Sequence, residues 1–504
     1  MTQNPRNTEA SIARVLKYTG LFGGIQGLYV LIGIVRNKLT SILLSTGGIG
    51  LIDMYNRTAE LIGNSTNMGI SFSAVQHIAE LNDRGGENSD PRSNAPLVHY
   101  IRLVRSWIAI AALLGCLVTL LLSPFWAWLS LGSVRNTTMV IALSPLIMLL
   151  TLAGGELAIL RGLRQLKTIA LITALGGIST LCITIPIYWW MGTPGIVPAL
   201  VISTGVLFLM QLYAAHRIVP YRITLTSWKF LRRGSKMIQL GFSYILTGIV
   251  CSGCELLVRA YILNAGSMGD VGLYAAGFTL TVTYTRLIFT SMDSDYYPRL
   301  SAAAGQVERL NVAVNRQIDV LALLMAPLLI IFCLALPLIV RILYTDEFVE
   351  AIPMVYAAAS YMYFKAVGAP IAYLSLAHSR SRLYLMVESS YSIIFLLTAT
   401  VGFSIYGIVG AGLGLSISNA AYFFIIWFVY GREFGFRFDR STFVRCLWQF
   451  GFLVIGLSAC AFSDPLLHFG IGGLAFLLSF AFSMHLFRKE VAVPERFKRW
   501  LFKK

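Results

Sequence analysis

Eight basic side chains sit inside or at the edge of apolar stretches: Arg36, Lys38, Arg57, Arg135, Arg259, Arg286, Arg341 and Lys365. Lys38, Arg135 and Arg341 lie close to the outer ends of their stretches, where a long side chain can snorkel to water. Arg286 and Lys365 stand near the middle of theirs, at a cost of about 2.5–3.5 kcal/mol each in hydrocarbon. Arg36, Arg57 and Arg259 fall in the outer half, where snorkelling competes with a role in a cavity. Cations placed this way bind oxyanions, and a guanidinium fork suits a phosphate group in a low-dielectric site. Arg36, Arg57, Arg259, Arg286 and Lys365 are therefore the candidate substrate-binding residues.

Two of them are matched between the halves of the chain. Val35-Arg36 precedes Gly50-Leu51 and Val258-Arg259 precedes Gly272-Leu273, with offsets that differ by one residue. Gly195-Ile196-Val197-Pro198-Ala199 is echoed by Gly407-Ile408-Val409-Gly410-Ala411. Such self-similarity points to a duplicated transporter with a cation in each copy.

Carboxylates accompany the arginines. Asp53, Arg57 and Glu60 occupy i, i+4 and i+7 of one helical face, and Glu255 and Arg259 form a second i, i+4 pair. These acids either neutralise the arginines or act as coupling groups for H⁺ or Na⁺, which makes Asp53, Glu60 and Glu255 candidate ion-coupling residues. Asp293, Asp295, Glu156 and Glu388 read as interfacial or gate contacts near inner helix ends. Cys251-Ser252-Gly253-Cys254 has metal-like spacing, but no second pair accompanies it, so no metal is expected. The glycines at 407, 410, 412 and 414 suit close helix packing better than a nucleotide loop. There is no Walker A motif, and no Ser/His/Asp constellation can be assembled. Neither a cofactor nor an enzyme activity is expected.

The elements that must position these residues are membrane spans. The chain has 504 residues, 57% of them hydrophobic and 12% charged, with a mean hydropathy of +0.72. Soluble domains are roughly 45–50% apolar, so the expectation is an all-α polytopic membrane protein. With about 20 apolar residues per span, about fourteen are expected, near 18–38, 49–74, 104–124, 138–160, 168–190, 196–216, 237–263, 271–295, 318–341, 351–376, 385–404, 407–430, 446–463 and 469–487. The run after the polar first 17 residues is too long for a cleaved signal peptide and reads as the first span.

With both termini in the cytoplasm, about 32 of the 40 basic residues fall in inner connectors. That positive-inside bias explains the net charge of +17 better than a nucleic-acid partner. Spans one to six (1–216) and seven to twelve (237–430) are expected as two six-helix lobes related by a pseudo-twofold along the membrane normal, around a central cavity. Residues 217–236 form a cytoplasmic linker, and 431–504 hold two additional spans and a basic tail. The seven cysteines show no disulfide framework.

On these residues the chain resembles a known family. Leu21-Phe22-Gly23-Gly24 through Arg36 to Gly50-Leu51 is similar to the first hairpin of the Wzx-type polysaccharide flippases of the MOP superfamily, which also holds MurJ and the MATE exporters. Val271-Gly272-Leu273-Tyr274-Ala275-Ala276, Asp295-Tyr296-Tyr297-Pro298-Arg299-Leu300 and Tyr406-Gly407-Ile408-Val409-Gly410-Ala411 resemble further signatures of that family. The resemblance implies a flippase for undecaprenyl-diphosphate-linked oligosaccharide in the bacterial inner membrane, working by alternating access and coupled to an ion gradient. It also implies a cationic cavity that receives the diphosphate and anionic sugars, with Arg36 matching the family's first-span arginine. Other polysaccharide assembly proteins are possible partners.

Three other readings compete with it. A MATE-like exporter of cationic drugs requires an anionic or aromatic site, which the excess of membrane arginines disfavors and Glu255 keeps open. A membrane polymerase or ligase requires a large outer loop, and every outer connector is short. A scaffold without transport leaves the midmembrane charges unexplained.

Overall fold

Apolar runs with no water to bond their peptide groups must satisfy them internally, and a helix does so within one segment. In a computed structural model, described for residues 5–67, 69–84, 92–223, 235–283, 285, 296–297, 299–303, 305–460, 462 and 464–489, the chain is all-helical. The helices are α1 Pro5–Thr66, α2 Ile70–Arg84, α3 Ala95–Leu121, α4 Ser123–Leu131, α5 Thr137–Ile141, α6 Ser144–Gly162, α7 Leu166–Met191, α8 Ile196–Ile218 and α9 Ser235–Ala265. They continue with α10 Met268–Phe278, α11 Val307–Leu343, α12 Ile352–Ala377, α13 Ser381–Phe434, α14 Arg440–Ala459 and α15 Pro465–Lys489. Among the described residues, nine helices are long and apolar enough to cross a membrane. Trp189 and Trp190, 79% and 82% exposed at the end of α7, suit the water interface of such a layer.

Two of the long helices are hairpins in disguise. Helix α1 breaks at Ser45 (φ 54°, ψ −168°), and α13 breaks at Tyr406 and Gly407 (Gly407 φ 59°, ψ −141°). The connection between α7 and α8 turns on Gly192 with nearly the same angles, φ 62° and ψ −141°. The repeated Gly-Ile-Val motif marks helix starts: α8 begins at Ile196, and the second limb of α13 follows Gly407. Glycine adopts this backbone region at no steric cost, whereas Ser45 carries a Cβ there. Ser45→Gly is expected to stabilise the detergent-solubilised protein by about 1 kcal/mol, read as a raised thermal midpoint. An unchanged or lowered midpoint would show that the turn is unstrained.

Packing divides the chain into two compact units. The first holds Met1–Asn264 with Ile342–Thr345, and so takes in α9; the second holds Ala265–Arg341 with Asp346–Lys504. In the first unit, α6 packs on α2, α3 and α8, and α7 on α1 and α8. Its core joins Ile70, Ile78, Val104, Ile108 and Ile159. Gly162 lies under Ile78 and Gly155 under Ile108, where any Cβ would clash.

In the second unit, α12 packs on α13 and α14 on α15. The limbs of α13 meet backbone to backbone, Gly402 against Gly410 and Gly414 against Ala399. This is the small-residue contact by which membrane helices gain van der Waals packing. A polar clamp seats the terminal helices. On α11, Asn311 Nδ2 donates to the Gly435 carbonyl (3.0 Å) and Asn311 Oδ1 accepts from the Arg437 amide (2.8 Å). One turn on, Asn315 Nδ2 donates to the Arg437 carbonyl (2.9 Å) and Oδ1 accepts from the Asp439 amide (3.0 Å). Asp319, a further turn along, takes the Arg445 guanidinium (2.9 Å) and the Thr442 hydroxyl (3.0 Å) of α14.

Candidate functional site

Five of the eight singled-out residues come together in the first unit, where the second limb of α1 meets α9. Arg57 Nη1 reaches Glu60 Oε2 at 2.8 Å and Glu255 Oε2 at 2.6 Å, while Arg57 Nε lies 3.5 Å from Asp53 Oδ1. The other Asp53 oxygen is paired with Arg259 Nε, and Arg259 Nη1 donates to the Glu255 carbonyl at 2.8 Å. Arg259 is fully buried, Asp53, Arg57 and Glu255 are about one-fifth exposed, and Glu60 is half exposed. The i, i+4 spacings that put these groups on one face of each helix thus also knit two helices together. Among the described residues three carboxylates meet two guanidinium groups here, a formal surplus of one acid. Arg57 and Arg259, two of the candidate substrate-binding residues, are both tied to acids in this cluster, since Asp53 and Glu255 approach from opposite helices.

Arg36 and Lys365 differ from that pair. Arg36 is half-buried on the first limb of α1, beside the buried Tyr188 of α7, and meets no carboxylate or hydrogen-bond acceptor among the described residues. Lys365, half-buried on α12 in the second unit, also meets no carboxylate or hydrogen-bond acceptor among the described residues. Its ammonium lies 5.3 Å from the ring centre of Tyr422 and 5.7 Å from that of Tyr391. A cation over an aromatic face gains about 0.5–2 kcal/mol. That only partly offsets the cost of a midmembrane charge. Arg286 lies outside the described residues.

Sequence reasoning missed two features. Arg105, which the sequence does not single out, is buried and forms a bidentate pair with Glu156 of α6, at 2.8 Å and 2.9 Å. Arg105 Nη1 donates to the carbonyls of Val219 (3.1 Å) and Pro220 (3.0 Å), and its guanidinium covers the Tyr221 ring at 4.8 Å. Burial raises the pKa of the Tyr221 hydroxyl, Glu156 adding to the shift and Arg105 opposing it. The exit of α8 is thereby fixed to the α3–α6 pair. Glu388, read as an interfacial or gate contact, accepts the Tyr422 hydroxyl at 2.6 Å. A signal existed, since an acid seven residues into an apolar helix needs a donor.

The helical architecture has counterparts among solved structures. The chain is similar in structure to the lipid II flippase MurJ in an inward closed conformation, with a TM-score of 0.68 at 14% identity, covering 94% of this chain and 100% of that one. It is also similar to an inward-facing multidrug resistance MATE family transporter, with a TM-score of 0.62 at 16% identity, covering 81% and 94%. A third neighbour is a MOP superfamily transporter from Pyrococcus furiosus whose binding pocket is described as reversed in polarity; its TM-score is 0.57 at 17% identity, covering 84% and 94%. No curated protein matches the chain in sequence. Residues 49–353 match the family described as polysaccharide biosynthesis protein, and the chain belongs to that family. Family and fold together support the resemblance to Wzx-type flippases of the MOP superfamily.

Proposed function

We propose that this multi-pass membrane protein flips a polyprenyl-diphosphate-linked oligosaccharide from the cytoplasmic to the outer leaflet by alternating access. The observation that carries this reading is Arg36, a half-buried guanidinium in an apolar helix with no ion pair among the described residues. It is a fork for diphosphate oxygens. Arg286 and Lys365 supply further positive charge, and Arg57 and Arg259 act through their carboxylates. The surplus acid among Asp53, Glu60 and Glu255 takes a proton or Na⁺, coupling transport to a gradient. The membrane is the bacterial inner membrane, with both termini cytoplasmic, and other polysaccharide assembly proteins are the functional partners.

Protein reconstituted into liposomes with a polyprenyl-diphosphate oligosaccharide is expected to expose the glycan on the far leaflet. Arg36→Ala should slow this on the order of 10–100-fold, the loss of charge-assisted hydrogen bonds, at unchanged protein yield. Flipping by Arg36→Ala at the wild-type rate would remove the assignment. The surplus acid of the α1–α9 cluster favours one second reading, MATE-like export of an organic cation. That reading predicts gradient-driven efflux of a cationic dye and no glycan flipping.

A further inference from the structure

The chain leaving α8 is held at each residue from Arg217 to Tyr221. Two guanidinium groups take four consecutive main-chain oxygens. Arg92 Nε donates to the Ile218 carbonyl (3.2 Å) and Arg92 Nη2 to that of Arg217, while Arg105 Nη1 takes those of Val219 (3.1 Å) and Pro220 (3.0 Å). Cations suit this place, since the last carbonyls of a helix have no partners within it. The next group along the chain, the Tyr221 amide, donates to Nδ1 of His216, five residues back on α8, at 2.9 Å. An amide N–H can only donate, so Nδ1 holds a lone pair and the imidazole is neutral, with its proton on Nε2.

That neutrality is conditional. An imidazole changes charge between about pH 5 and 8, and His216 is exposed, so protons reach it from water. A proton on Nδ1 turns the acceptor into a second donor facing the Tyr221 amide, and the bond between them is lost. The cations around it stay charged throughout that range. Arg92, ahead of α3, sits on its two carbonyls, and Arg217 lies over the Tyr213 ring at 4.8 Å. Lys167 opens α7 at the level of His216, each being nine residues from the contact of Gly176 with Leu207. Arg105 of α3 binds Glu156 of α6 through two bonds, and that carboxylate is within electrostatic reach of His216. The Tyr221 hydroxyl, its pKa raised by burial, stays neutral. We propose that His216 is a pH-sensitive latch on the exit of α8. Neutral, it holds Tyr221 against Arg105; charged, it releases Tyr221 and with it the start of the connector to α9.

Site-resolved amide hydrogen exchange on the full-length protein in detergent tests the latch, with each rate divided by the intrinsic rate at its pH. Protection of the Tyr221 amide should fall about fivefold or more between about pH 8 and about pH 5.5, the loss of one hydrogen bond. The Val219 amide, bonded to the Ala215 carbonyl at 2.9 Å, should keep its protection and serves as the control. In His216→Asn, whose amide oxygen stands near the position of Nδ1 and does not titrate, Tyr221 protection should be the same at both pH values. In His216→Ala it should be low at both. Equal protection of Tyr221 at the two pH values in wild type would overturn the latch. So would a fall that persists in His216→Asn, which would hand the titration to Glu156, or a fall shared by Val219, which would be fraying of α8 rather than release of its exit.

Discussion

Glu156→Ala is expected to destabilise the first unit by about 3–5 kcal/mol, because it strands Arg105 as an uncompensated charge. Arg105 is only 1% exposed, so water cannot take over from the two lost bonds. The remaining bonds to the Val219 and Pro220 carbonyls do not neutralise a cation. Replacing both partners, Arg105→Met with Glu156→Leu, should recover most of the loss, since an apolar pair of similar volume needs no counter-charge. Thermal unfolding and the yield of monodisperse protein measure both. A Glu156→Ala protein as stable as wild type would mean that Arg105 is reached by solvent or by another acid.

Asp53→Ala carries a similar penalty, about 3–5 kcal/mol, for the same reason at a different place. Arg259 is completely buried, and Asp53 is the carboxylate that meets its Nε. Glu60 provides the contrast within the same cluster. Its side chain is 49% exposed and shares Arg57 with Glu255, so Glu60→Ala should cost under about 1 kcal/mol. Arg259→Met placed in the Asp53→Ala background should restore stability. Equal losses for Asp53→Ala and Glu60→Ala would show that burial does not set the worth of these pairs.

Much of the fold is legible in the sequence, because hydrophobic length alone places helices in a membrane protein. The expected spans at 104–124, 168–190, 196–216 and 351–376 lie within or close to α3, α7, α8 and α12. The turn expected between 38 and 49 falls at Ser45. Which helices share a unit is written in a few polar contacts instead, and α9 packs with the first unit while Asp53 meets Arg259 across 206 residues of chain.

The candidate site is less legible, since whether a charge is free or spent depends on what faces it. Arg36 and Arg259 look equivalent by repeat and depth, yet one is tied to Asp53 and the other meets no acid among the described residues. Nothing around Arg105 in the sequence names its partner, yet Glu156, 51 positions away, claims it inside the bundle. Lys365 stood out by position, whereas Tyr391 and Tyr422 are two tyrosines among 23 until α13 folds back on itself.

The asparagines at 311 and 315 grip only main-chain atoms of Gly435, Arg437 and Asp439. Side-chain identity at 437 is therefore irrelevant to the grip, whereas the spacing of the two amides is not. Insertion of a single residue between Asn311 and Asn315 would rotate the second amide by roughly 100° around the helix. The segment leading into the last two helices would then lose one of its two amide grips although every letter of that segment was intact.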